Sequence, residues 1–182
     1  MDNFKVIAIT SPIFYEDEAD KINLLLSTGV ADLVHIRKPF SSPKETIDLI
    51  SKIKDDFHPR LKIHDHFEIL DKFDLGGIHL NSRNPNPYGQ PKAISKSIHN
   101  LEDIKTCENL DYFFISPVFD SISKDNYKAS FDLNDLSLKI KGKKAIALGG
   151  VTPEKFSILK QLGFFGGALL GYFFPIIEIN KI

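Results

Sequence analysis

The chain has 182 residues, 23 of them basic and 24 acidic, for a formal net charge of −1. That length suits one domain with a substantial core, since chains divide mainly above about 250 residues. Balanced charge without long blocks of either sign excludes a surface built for nucleic acid, and a lone Cys107 excludes an internal disulfide.

The opening MDNFKVIAIT lacks a basic stretch followed by a full apolar run, so the cytoplasm is the expected compartment. Within it, KVIAIT (5–10) reads as an apolar strand, and the connection at 10–16 carries no glycine fingerprint for a dinucleotide. A helical pattern over 17–29 closes on Gly29, and DLVHI (32–36) is a second strand that ends abruptly in Arg37 and Lys38. The Ser-Pro start of SPKETIDLISKIKDD (42–56) predicts the next helix, and LKIHD (61–65) and GGIHL (76–80) are the third and fourth strands. Residues 81–93, NSRNPNPYGQPKA, have no helical period and read as a mobile loop.

AISKSI (93–98) is the fifth strand, NLEDIKTCENL (100–110) a helix with Cys107 buried, and DYFFIS (111–116) the sixth strand. A helix over 132–142 closes on Gly142, KAIALG (144–149) follows as the seventh strand, and a helix over 152–163 starts with Thr152 as N-cap and Pro153 in the first turn. GGALLG (166–171) is the eighth strand. The uncharged stretch 161–177 falls short of the roughly 20 apolar residues a span needs and carries four glycines and Pro175, so no membrane segment is expected.

Eight strands alternating with helices predict an α/β fold: a compact (β/α)8 TIM barrel, one domain over 1–182, with a short or missing last helix because such barrels run to about 200 residues or more. An open doubly wound sheet is the alternative. A closed barrel gathers the C-terminal strand tips at one mouth, and there the chain places its polar residues. Gly149 and Gly150, with Gly171, allow close approach of backbone N–H groups to a phosphate. Ser121, Ser123 and Lys124 offer two hydroxyls and a charge. Arg37 and Lys38 put a cation at the mouth, and His35, two residues before Arg37, faces inward with it. His64, Asp65 and His66, with His79 and His99 on other strand ends, raise zinc as an option beside plain hydrogen-bonded histidines. His99 suits a proton shuttle or a cap.

In this order the segments resemble the thiamin phosphate synthase and TenI family of phosphate-binding barrels. The family's Gly-Pro-Val-Phe-x-Thr-x-Thr-Lys loop matches Ser116 to Lys124, its Ala-Ile-Gly-Gly strand matches Ala147 to Gly150, and its final turn matches Gly171-Tyr172. The synthase branch has Gln-x-Arg-Glu-Lys where this chain has His35-Ile36-Arg37-Lys38-Pro39, so only the diphosphate-binding arginine carries over. Its Asn-Asp falls on His64-Asp65, and its second magnesium aspartate falls on Asn84. That implies weakened or lost magnesium binding, since hard cations favour carboxylate oxygen. The TenI branch fits His35-Ile36-Arg37 and Ser97-Ile98-His99-Asn100-Leu101-Glu102 better.

The resemblance implies a TenI-like thiazole tautomerase with His99, Arg37 and His35 catalytic, and Lys38, His64, Ser121, Ser123, Lys124, Gly149, Gly150, Gly171 and Tyr172 at the substrate. That reaction needs no cofactor. The alternatives are the synthase, which would hold magnesium on Asp65, and a binder without turnover. The implied partner is a small phosphorylated heterocycle, not nucleic acid or membrane. Phe173 and Phe174, read as exposed, leave open a homodimer or a seal over the barrel floor.

Overall fold

The structure is a computed structural model that describes residues 4–120 and 131–174. Eight parallel strands form a closed barrel in sequence order: β1 (Lys5–Ile9), β2 (Leu33–Ile36), β3 (Leu61–Ile63), β4 (Gly77–Leu80), β5 (Ile94–Ile98), β6 (Tyr112–Ile115), β7 (Ala145–Ala147) and β8 (Gly166–Leu170). The ring closes where β1 pairs β8, from Lys5 opposite Gly166 to Ile9 opposite Leu170. Among the described residues no sheet edge is left to pair with another chain.

Alternation along the strands divides the core into two shells. Ile7, Ile9, Tyr112, Phe114, Ile146 and Ala168 meet inside the barrel. Their neighbours, such as Val34, Ile36, Leu61 and Ile63, point outward beneath α1 (Glu18–Ser27) and α2 (Pro43–Ile50). Ile115, Ala145, Ala147 and Leu169 do the same beneath α3 (Leu133–Ile140) and α4 (Phe156–Gln161). Local chemistry starts the helices. Ser42 and Glu45 close a reciprocal capping box around Pro43, and the Asp132 carboxylate accepts from the N–H groups of Asn134 and Asp135.

Three expectations about connections are corrected. The helix over 100–110 is a 3-10 helix, Leu101–Cys107, in which the Thr106 hydroxyl bonds back to the Asp103 carbonyl (2.7 Å) and competes with the α ladder. The helix over 42–56 stops at Ile50, and a separate 3-10 helix, Asp55–Arg60, holds Pro59. The 81–93 loop has no helix, as expected, but its first turn is pinned rather than loose: Asn81 and Asn84 exchange two backbone hydrogen bonds of 3.1 Å. Farther along, Tyr88 donates to Asp71 (2.7 Å) and Lys92 pairs with Asp74.

Phe174 is also not exposed. It is 1% accessible and packs with Phe173 against the outer core, its ring 6.4 Å from Tyr15. Phe173 is partly buried, and both lie past the C-terminal end of β8 rather than over the barrel floor. Among the described residues no helix is long and apolar enough to cross a membrane.

Candidate functional site

Because all eight strands run in parallel, every strand end named above falls on one rim. Arg37 follows β2, Asp65 follows β3, Asn81 to Asn84 follow β4, His99 follows β5, Ser116 to Asp120 follow β6, Gly149 and Gly150 follow β7, and Gly171 and Tyr172 follow β8. The expected residues thus divide into a charged arc over β2 to β4 and a glycine arc over β6 to β8, with His99 between. Ser121, Ser123 and Lys124 lie outside the described residues.

The glycine arc is built by close packing. Val118 and Phe119 donate to the Leu148 and Gly149 carbonyls (2.9 and 3.1 Å), which lays the loop after β6 along the end of β7. Gly149 and Gly150 take φ values of +88° and +61°, and a β-carbon on Gly150 would collide with the Asp120 carbonyl. Only glycine meets both demands. Lys155 donates to the Gly150 carbonyl and covers the Phe119 ring at 4.5 Å, fixing the turn. Tyr172 stands half-exposed on the rim with its ring edge-on to Phe173.

On the charged arc, Thr10 Oγ1 accepts the Arg37 N–H (2.9 Å) and so orients the end of β2. The Arg37 guanidinium is half-buried, and among the described residues no carboxylate closes an ion pair with it. Burial and the nearby Arg83 charge lower its pKa, while Asp65 opposes them. Asp65 is 8% exposed; its Oδ1 accepts from Arg83 Nε (3.2 Å), Arg83 Nη2 (2.8 Å) and Asn84 Nδ2 (3.1 Å). Its Oδ2 is buried and has no hydrogen-bond partner among the described residues.

Lys38 does not reach the mouth. It is 1% exposed, and its ammonium lies 2.7 Å from both Glu18 oxygens, with the Ser11 and Ile13 carbonyls as further acceptors. Burial lowers the Lys38 pKa and raises that of Glu18, and the ion pair opposes both shifts. Lys38 thus fastens the β1–α1 connection to β2 instead of binding a ligand. His66 also leaves the arrangement expected of it: a left-handed backbone (φ +57°) swings it off the strand to donate to the Ser41 carbonyl (2.7 Å).

Below the rim, three histidines fill the barrel. His35 Nδ1 meets His64 Nε2 at 2.9 Å, His35 Nε2 meets the Tyr112 hydroxyl at 2.6 Å, and His79 bonds to Ser95 and Ser97 at 3.0 Å each while stacking on His64 at 4.2 Å. Burial holds all three neutral: the pKa values of His35 and His64 fall well below the ordinary range, and that of His79 falls to about 3. One nitrogen of each lies within 4.8 Å of the others, a spacing open to a transition metal. Both nitrogens of His35 and of His79 are engaged in hydrogen bonds, however, and the Lys62 ammonium beside Tyr112, without a hydrogen-bond partner among the described residues and with its pKa lowered by burial to about 8, opposes a second cation.

Magnesium fits less well still. It takes six oxygen ligands and favours carboxylates. Here Asp65 gives one oxygen to Arg83, and Asn84 turns its NH₂ rather than a lone pair toward that carboxylate. The described residues therefore do not make a magnesium site.

His99, exposed on the rim, donates Nδ1–H to the Ser116 carbonyl (2.9 Å), which leaves the Nε2 lone pair as a base. Glu18, Asn81 and Arg83 were not expected here from the sequence. The Asn-Ser-Arg-Asn run was the one signal, since asparagines favour such turns.

The thiamine monophosphate synthase family profile matches residues 6–171. A thiamine-phosphate synthase of Lactococcus lactis is 24% identical over 170 residues, 85% of this chain and 78% of its own. The crystal structure of a thiamine phosphate pyrophosphorylase from Bacteroides thetaiotaomicron superposes with a TM-score of 0.81 at 32% identity, covering 92% of this chain and 83% of the other. A thiamine phosphate pyrophosphorylase from Pyrococcus furiosus, at 17% identity and a TM-score of 0.73 over 93% of this chain and 87% of its own, shares the fold. With the profile spanning nearly the whole barrel, the chain belongs to the thiamine monophosphate synthase family of enzymes.

Proposed function

We propose that the protein is a thiamine-phosphate synthase, joining hydroxymethylpyrimidine diphosphate to a thiazole phosphate. The supporting observation is the division of the rim into two anion-seeking arcs on opposite sides of one mouth. The glycine arc, with Ser121, Ser123 and Lys124, takes the thiazole phosphate. Arg37 takes the diphosphate, and the neutral histidines form the floor beneath the two rings. The C–O bond to the diphosphate breaks with its electron pair on the leaving oxygen, and the thiazole nitrogen lone pair forms the new C–N bond. Stabilising the departing charge is the main demand, and the half-buried Arg37 guanidinium meets it. The names of the relatives favour this reading over the tautomerase expected from the TenI-like segments.

Incubation with both substrates is expected to release one diphosphate per thiamine phosphate formed, and absence of either product contradicts the proposal. Arg37→Ala is expected to lower kcat/KM by about 100-fold, the usual scale for losing one charged donor at a developing anion. One observation favours a proton-transfer reading as second choice: the lone pair left on His99 Nε2. Under that reading His99→Ala abolishes aromatisation of the thiazole tautomer, followed by its ultraviolet change. Under the synthase reading it leaves diphosphate release within about threefold, because no proton moves in C–N formation.

A further inference from the structure

We propose that the chain carries its own cation where a divalent metal would sit: Arg83, clamped on Asp65 beside Arg37, binds the diphosphate without metal. The inference deepens the two-substrate reading and rests on it. Its starting point is the mismatch between the donor set and magnesium.

The turn after β4 is built to present this side chain. Asn81 Oδ1 accepts the N–H groups of Arg83 (3.0 Å) and Asn84 (3.2 Å), while Asn81 Nδ2 donates to the His64 carbonyl (2.6 Å) and ties the turn to the end of β3. Asn84 Nδ2 donates to that same carbonyl (3.1 Å) and to Asp65 Oδ1. Arg83 then lies side-on to Asp65 through Nε and Nη2. A guanidinium has five N–H donors, so this contact leaves three unused, including both on Nη1. The side chain is 43% exposed, which keeps those donors within reach of a ligand.

The charge balance points the same way. Asp65 neutralises one of the two guanidiniums, so this arc keeps a net positive charge facing the mouth, and both Arg37 and Arg83 act on His64 through space. A magnesium ion on Asp65 would have to displace Arg83 with a second guanidinium, Arg37, close enough to repel it, whereas a diphosphate meets two forks suited to its oxygens. The carboxylate that would ligate a metal serves instead to position an arginine.

The test uses the full chain, stripped with EDTA, and inorganic pyrophosphate as the probe. Calorimetric affinity is expected to be the same within about twofold in EDTA and in excess magnesium, and the electron paramagnetic resonance signal of added Mn²⁺ is expected to stay that of the free ion. Arg83→Ala is expected to weaken pyrophosphate at least tenfold in EDTA while keeping the wild-type circular dichroism. The proposal is overturned if wild type binds pyrophosphate only with magnesium, if it sequesters one Mn²⁺ per chain, or if Arg83→Ala binds as wild type does. Titration with thiamine phosphate separates the two claims: failure of that ligand to bind removes the two-substrate reading and leaves the pyrophosphate result standing on its own.

Discussion

Glu18→Ala is expected to destabilise the protein by about 3–5 kcal/mol, read as a lower urea midpoint at unchanged slope. The mutation strands the Lys38 ammonium in a site where both side chains are 1% exposed, with the Ser11 and Ile13 carbonyls and the face of Phe14 left to it among the described residues. An uncompensated buried charge costs far more than the net value of the pair. For the same reason, changing both partners together, Glu18→Leu with Lys38→Met, is expected to recover most of the loss. Equal midpoints for wild type and Glu18→Ala would mean that the β1–α1 connection is not fastened in this way.

The second large effect is on acid stability. Unfolded imidazoles titrate near pH 6.5, whereas the folded His35, His64 and His79 stay neutral to much lower pH. Below about 6.5 the unfolded chain therefore binds more protons, so stability is full above that pH and falls as pH drops toward the folded values. Each histidine contributes a slope of about 1.4 kcal/mol per pH unit, and three together about 4 kcal/mol per unit. Urea melts between pH 7.5 and 5 measure this slope. His79→Gln keeps hydrogen bonding to Ser95 and Ser97 and is expected to reduce the slope by about a third. A flat profile in the wild type would contradict the neutral histidine floor.

The barrel was legible because strand and helix signals are local: Ser42 and Pro43 start α2, Gly149 and Gly150 end a short apolar run, and eight such runs leave few topologies. The rim was legible for a related reason, since parallel closure puts every strand end on one side whatever the details. What was not legible depends on contacts between distant positions. Lys38 read as a mouth cation because its partner, Glu18, comes 20 residues earlier on another element. His35, His64 and His79 converge only when curvature brings inward faces together, so the sequence offered His66 in place of His35 as the companion of His64. Arg83 looked like part of a loose loop, because nothing local tells that Asn81 and Asn84 lock the turn onto β3. Cys107 and the inward His35 were read correctly, each from its position on a periodic segment.

The rim itself is tested most directly by the affinity for thiamine phosphate, measured by calorimetry for wild type, Gly150→Ala and Lys5→Ala. Gly150 turns the glycine arc at φ +61° against the Asp120 carbonyl, while Lys5 sits at the opposite end of the barrel, where it pairs with Asp32. Gly150→Ala is expected to lose at least tenfold in affinity, about 1.4 kcal/mol or more, with Lys5→Ala unchanged. Equal affinity for wild type and Gly150→Ala, or a loss confined to Lys5→Ala, would contradict a phosphate site at the C-terminal strand ends.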